Sequence, residues 1–370
     1  MSQELRYSII FLAFSAVFFI YNIQSIQTIP VTEDPMTGQE QIAIERPDNI
    51  LYDSEAGTIR LDSLTLRQKI SQMVITYGNE GNKDFIQNTL MGGVYFVSKP
   101  TKQDFIDTTA FFQEDAIIPL FISADLEGCW NPFIKFYKSP TLSQIETKEE
   151  AYVLGMEHGQ ILKDAGFNLN FAPVVDLEDN IWECRSFKGT LEEISEKAAY
   201  YIRGIEEKGI MSSAKHYPGK TLLTKDPHKH IAYATIEEKD LFPYEYAING
   251  SVSSIMISHI IVQGMVDSEG KPSVASEELV NGLRKTYDGL IITDEIRMLG
   301  LADYYEDIDQ MYIDVFRADN DIILNFDDDQ ATLYHMIVVV EDAVNRGEIS
   351  EERIDSSVTR ILEAKGLEVI

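Results

Sequence analysis

The stretch "GLIITDE", Gly289–Glu295, decides the fold. Leu290, Ile291 and Ile292 follow a glycine without a polar break, and Thr293, Asp294 and Glu295 end the run abruptly. A strand with one wet face alternates apolar and polar residues. A run apolar at every position suits a strand covered on both faces, as in a parallel sheet flanked by helices. Seven further runs read as strands. They are "MVITYG" (Met73–Gly78), "GGVYFVS" (Gly92–Ser98), "PLFISADLEG" (Pro119–Gly128), "FNLNFAPVVD" (Phe167–Asp176), "GIMSSAKHYPG" (Gly209–Gly219), "SSIMISHI" (Ser253–Ile260) and "NDIILNF" (Asn320–Phe326). Helical patterns lie between them. "TKEEAYVLGMEHGQILKDAG" has Thr147 as N-cap and Gly166 as its stop. "TLEEISEKAAYYIRGIEEKG" pairs Thr190 with Glu193 in a capping box and stops at Gly209. "SEELVNGLRKTYD" and "QATLYHMIVVVEDAVNRGE" are shorter and longer versions. Eight strands in βα alternation over about 300 residues predict an α/β fold, a (β/α)8 TIM-type barrel. An open doubly wound sheet competes, but it usually carries a glycine-rich phosphate turn, and the sequence has no G-x-G-x-x-G and no P-loop.

The 370 residues are 44% hydrophobic and 25% charged, enough for one large core. Acids outnumber bases 61 to 31, a net charge of -30, which repels nucleic acid. Two cysteines exclude a disulfide-dense scaffold and a four-thiolate zinc site. Tyr7 to Ile26 is apolar and uncharged, and a polar, turn-rich stretch follows it. The expected organisation is a signal or membrane-anchor segment over 1–28, a linker over 29–50, and a single-domain barrel over 51–370 outside the cytoplasm, anchored or secreted. Nothing in the sequence sets an oligomeric state.

A barrel of this type works at the C-terminal ends of its strands. The polar residues there are Asp125 and Glu127, Asp176, Lys215 and His216, Ser258 and His259, Thr293 to Glu295, and Asn325 and Asp327. Any strand must be followed by polar residues, but charged pairs set directly against apolar runs need a reason for their burial. The loop "SAKHYPGKTLLTKDPHKH" holds three of the six histidines. Asp226, His228 and His230 form D-x-H-x-H, a set that can bind zinc, though that pattern ordinarily rides on a strand. Alternatively, Asp226 orients the ring of His228 and raises its pKa, making an acid and base on a mobile loop. Asp294, at the end of "LIIT", then supplies a nucleophile facing the barrel mouth. These are the two parts a retaining glycosidase needs.

The same residues resemble family 3 glycoside hydrolases of the β-N-acetylglucosaminidase branch. "AKHYPGKTLLTKDPHKH" is similar to the family's K-H-F-P-G-x-G-x4-D-S-H, "SADLEG" to D-x-E-G-G, "NLNFAPVVDLEDN" to F-A-P-V-x-D, "CRSF" to G-D-R-S-F, and "LIITDEIRMLGL" to S-D-x-L-x-M-x-G. The resemblance spans roughly Leu61 to Asn325. It implies that Asp294 is the nucleophile and His228 the acid/base paired with Asp226. It implies that Asp125, Arg185, Lys215 and His216 hold sugar hydroxyls, and that neither metal nor organic cofactor takes part. The implied substrate is a terminal β-linked N-acetylglucosamine, often from peptidoglycan fragments. Transfer to phosphate and a non-catalytic, membrane-tethered glycan-binding barrel are variants on the same fold.

The chain departs from the pattern in places. Cys129 and Trp130 stand for a glycine and an arginine, Cys184 for an aspartate, Lys220 and Thr221 for the second half of P-G-H-G, and Pro227 for a serine. Cys129 and Cys184 each flank a sugar-binding motif, so an oxidising compartment allows a disulfide that fastens the two loops.

Overall fold

The computed structural model describes residues 44–370 apart from Thr224, Lys225, Pro227 and His228. The expected anchor segment 1–28, the expected linker up to residue 43, and the readings of Pro227 and His228 lie outside the described residues.

All eight runs form strands of one parallel sheet. They are β1 (Val74–Tyr77), β2 (Gly93–Tyr95), β3 (Phe121–Ala124), β4 (Leu169–Asn170), β5 (Met211–Tyr217), β6 (Ser254–Ile257), β7 (Leu290–Thr293) and β8 (Ile323–Leu324). Each pairs with its neighbour in sequence, and β8 pairs with β1 through Ile323↔Val74. β7 and β8 meet at the bridge Ile292↔Ile322, and the Thr293 N–H donates to the Ile322 carbonyl at 2.9 Å. The sheet therefore closes into a barrel. β4 is shorter than its run: Pro173 has no N–H to give to a ladder, and pairing with β5 resumes only as the bridge Val174↔Lys215.

Ile75, Ile122, Leu169, Ala214, Ile255, Ile291 and Ile323 are all fully buried, as strands enclosed on both faces require. Each large aliphatic side chain buried this way contributes roughly 1.5–3 kcal/mol. The predicted helix starts hold. Thr147 caps Lys148–Asp164 in a box with Glu150, and Thr190 caps Leu191–Glu206 in a box with Glu193. These two helices pack closely because each offers a glycine. A methyl group on Gly155 would strike the Tyr201 carbonyl, and one on Gly204 would strike that of Tyr152.

Two small sheets lie beside the barrel. One joins Tyr52–Asp53, Thr58–Ile59 and Glu368–Val369; the other is a parallel ribbon of Tyr233–Ile236 and Ile261–Gly264. Residues 44–50 lie against the barrel, with Asn88 Nδ2 donating to the Ile44 carbonyl at 2.8 Å and Asn49 Nδ2 to that of Ser63 at 2.6 Å. Among the described residues no helix is long and apolar enough to cross a membrane.

Candidate active site

The site begins where β3 ends. Asp125 and Glu127 are two residues apart, so their side chains project to the same side. Asn170 on β4 holds Leu126 between them, accepting its N–H at 2.8 Å and donating to its carbonyl at 3.1 Å. Glu127 is fully buried and receives a fork from Arg185, Nε and Nη2 each at 2.8 Å. Lys215 Nζ stands 2.6 Å from Glu127 and 2.5 Å from Asp125. Tyr95 donates its hydroxyl to Asp125 at 3.3 Å and stacks on Phe326 with centroids 4.4 Å apart, giving the site an aromatic floor.

Burial disfavours every charge here, but the pairing outweighs it. Burial alone would raise the Glu127 carboxyl, yet Arg185 and Lys215 hold it well below the usual range. Burial alone would lower Arg185, yet Glu127, Asp125 and Asp294 raise it. Lys215 is likewise held up, against its burial, by Asp125 and Glu127.

β5 delivers two neighbouring residues to this basin. Strict alternation would send Lys215 and His216 to opposite faces. A register shift between Lys215 and Tyr217 against β6 breaks the alternation, as a bulge does. Lys215 turns to Asp125 and Glu127, while His216 Nδ1 lies 3.4 Å from Asp176 Oδ2. Thr221 completes this second pair, its Oγ1 donating to Asp176 Oδ2 at 2.7 Å and its N–H to Oδ1 at 3.3 Å.

Asp294 continues β7, its N–H donating to the Ile257 carbonyl at 2.8 Å. Its carboxylate accepts the Glu295 N–H at 2.9 Å, is only partly buried, and lies within the electrostatic reach of Arg185. The carboxylate therefore stands at the mouth and not in the packed interior. Glu295 is pushed up to about 7, chiefly by burial, against the N–H groups of Arg297 and Phe326 that it accepts.

The loop after β5 starts from an anchor. Lys220, at φ 61°, donates to the Thr235 carbonyl at 2.7 Å and pairs with Asp240 at 3.0 Å. Asp226 is partly buried and pairs with Lys229 at 3.3 Å, while His230 is exposed. Among the described residues no cluster of three or more His, Cys, Asp or Glu has the arrangement to hold a metal ion. Cys129 and Cys184 are bonded, with Cα atoms 5.6 Å apart, and fasten the loop after β3 to the loop after β4.

Known proteins match this chain in sequence and in fold. Residues 65–364 match the sequence model described as "Glycosyl hydrolase family 3 N terminal domain". The chain belongs to glycosyl hydrolase family 3. A family relative from Cellulomonas fimi, named "Beta-N-acetylglucosaminidase/beta-glucosidase", is 30% identical over 332 residues, covering 80% of this chain and 57% of its own length. The solved family 3 β-N-acetylglucosaminidase of Paenibacillus sp. str. FPU-7 superposes with a TM-score of 0.74 at 27% identity, over 82% of this chain and 62% of that one. A family 3 structure from Mycobacterium smegmatis gives a TM-score of 0.75 at 24% identity, over 83% of this chain and 98% of its own, and shows the shared fold. This family 3 chain thus spans about three fifths of the length of the first two relatives.

The structure brings Asp125, Arg185, Lys215, His216 and Asp294 to one end of the barrel; Asp226 is on the neighbouring loop, and His228 lies outside the described residues. Sequence reasoning gave no role to Glu127, Asn170, Asp176, Thr221 or Tyr95. Glu127 had a signal, an acid two residues beyond Asp125 on the same strand end. Asn170 and Thr221 had none, because each acts through a partner distant in sequence.

Proposed function

We propose that this family 3 chain is a retaining exo-β-N-acetylglucosaminidase, removing terminal β-linked N-acetylglucosamine. The observation that carries the reading is the partly exposed Asp294 carboxylate, standing in the field of the buried Arg185 beside Asp125 and Lys215. Its position at the end of β7, with the carboxylate only partly buried, leaves Asp294 accessible as a nucleophile. In the first step Asp294 attacks the anomeric carbon while protonated His228, oriented by Asp226, gives its proton to the departing oxygen. In the second, neutral His228 takes a proton from water, which displaces Asp294 from the sugar. Asp125, Arg185, Lys215 and His216 position the sugar through its hydroxyls. The ion pairs are already formed, so they need no reorganisation during the reaction.

The names of the relatives support this substrate class. Fragments of peptidoglycan are the proposed natural source. The apolar stretch Tyr7 to Ile26 and the Cys129–Cys184 bond support a membrane-anchored or secreted protein outside the cytoplasm. Turnover of a β-N-acetylglucosaminide by the wild type, Asp294→Ala and His228→Ala tests the assignment. Both variants should lose most activity, with His228→Ala recovering on substrates whose leaving group is very acidic. Equal turnover by all three refutes the roles, and loss of activity to a strong chelator would favour the metal alternative.

A further inference from the structure

The chain has two tryptophans and two cysteines, and all four meet in one clamp. Trp130 follows Cys129, Trp182 lies two residues before Cys184, and the indoles pack edge to face at 5.4 Å and 68°. The clamp is continuous with the polar pocket. The Trp130 carbonyl receives the Glu127 N–H at 2.9 Å, and Arg185, which forks onto Glu127, is the residue after Cys184. Asp179 ties the second loop by accepting the N–H groups of Trp182, Cys184 and Arg185 at 2.8–3.0 Å. Trp130 is nevertheless 39% exposed. An indole backed in this way, partly exposed and joined through Glu127 to the charged pocket, offers apolar ring surface where the rest of the site offers charges.

We propose that Trp130, braced by Trp182 and the disulfide, is the stacking subsite for the first sugar of the leaving group. The preferred substrates are then oligosaccharides with a pyranose on the reducing side of the scissile bond, not simple glycosides. This rests on the glycosidase reading and extends it to the leaving group. The hydroxyl-binding groups lie deeper, so the terminal N-acetylglucosamine takes the charged pocket. The next ring, emerging from the mouth, lays its C–H face on Trp130. Because the indole is immobilised in advance, binding costs little further ordering.

The test compares kcat/KM for the β-1,4-linked N-acetylglucosamine disaccharide with that for β-N-acetylglucosaminyl fluoride, whose leaving group has no ring. In Trp130→Ala the ratio of disaccharide to fluoride should fall at least about tenfold, and in Trp130→Phe it should stay within about threefold of wild type. An unchanged ratio in Trp130→Ala, or an equal fall in Trp130→Phe, overturns the subsite. Should Trp130→Ala not fold, Trp130→Leu replaces it, with apolar bulk but no flat face and the same expected fall. If the wild type turns over neither substrate, the glycosidase reading fails by itself. Calorimetry then decides the subsite: tighter binding of the disaccharide than of N-acetylglucosamine, lost in Trp130→Ala, upholds it, and equal affinities overturn it.

Discussion

The barrel carries a buried charge cluster at each end, and the two are built alike for different ends. At the mouth, Arg185 and Lys215 meet Glu127 and Asp125, with Asp294 nearby. At the opposite end, Asp321 just before β8 accepts from Arg284, from Arg360 at 2.9 Å, from Ser357 at 2.6 Å and from the Ile291 N–H at 2.8 Å. Arg353 joins that group through Ser357 and the Asn320 carbonyl, and burial lowers its pKa to about 10 against the pull of Asp319 and Asp321. The lower cluster saturates its buried carboxylate with protein donors. The upper one leaves Asp125 with 30% of its side chain exposed and Asp294 partly open. Charge spent entirely on protein partners makes structure; charge left half-spent can meet a substrate.

The largest expected effect breaks that comparison at the mouth. Asp294→Ala should lower kcat on the order of 10⁴-fold in protein that still unfolds cooperatively. Single-turnover kinetics with an activated aryl N-acetylglucosaminide, beside thermal unfolding, measures both. Next come the two buried carboxylates. Glu127→Gln and Asp321→Asn should each destabilise by about 3–5 kcal/mol, since each strands buried cations. Denaturant titration gives these values. The two variants should part in kinetics: Glu127→Gln loses kcat/KM as well, while Asp321→Asn keeps it within about twofold at temperatures where it stays folded. Equal kinetic losses would erase the distinction between the ends.

Much of this was readable from the residues, and the reason is periodicity. Runs such as Leu290–Thr293 and Ser254–Ile257 are apolar at nearly every position, and Thr147 and Thr190 announce their helices by local hydrogen bonds. Charged residues directly after those runs fall at one end of any parallel barrel, so Asp125, Lys215 and Asp294 were legible too. Asn170 and Thr221 were not, because an asparagine or threonine shows its purpose only once a partner is brought to it from far along the chain. The whole lower cluster escaped for the same reason. Asp321 draws on Ile291, Arg284 and Arg360, which no local pattern connects.

Two smaller effects sharpen the picture. Glu295 has a folded pKa of about 7 against an ordinary 4.5. Between those values the native protein keeps a proton that the unfolded chain has released. Stability should therefore decline as pH rises from 4.5 to about 7, by at most about 3 kcal/mol from this group. Glu295→Gln should flatten that decline, as denaturant midpoints across the range will show. Thr221→Val removes the 2.7 Å bond to Asp176 and should cost about 1.5–3 kcal/mol, raising KM through the looser His216. An unchanged KM would make Thr221 part of the frame alone.

Because both indoles of the chain sit in one clamp at the rim, its intrinsic fluorescence comes from a single address. Emission excited at the red edge, where tyrosine is silent, reports the entrance and nothing else. A titration with saccharide, or with a thiol reductant acting on the adjoining sulfurs, can be followed optically without attaching a dye.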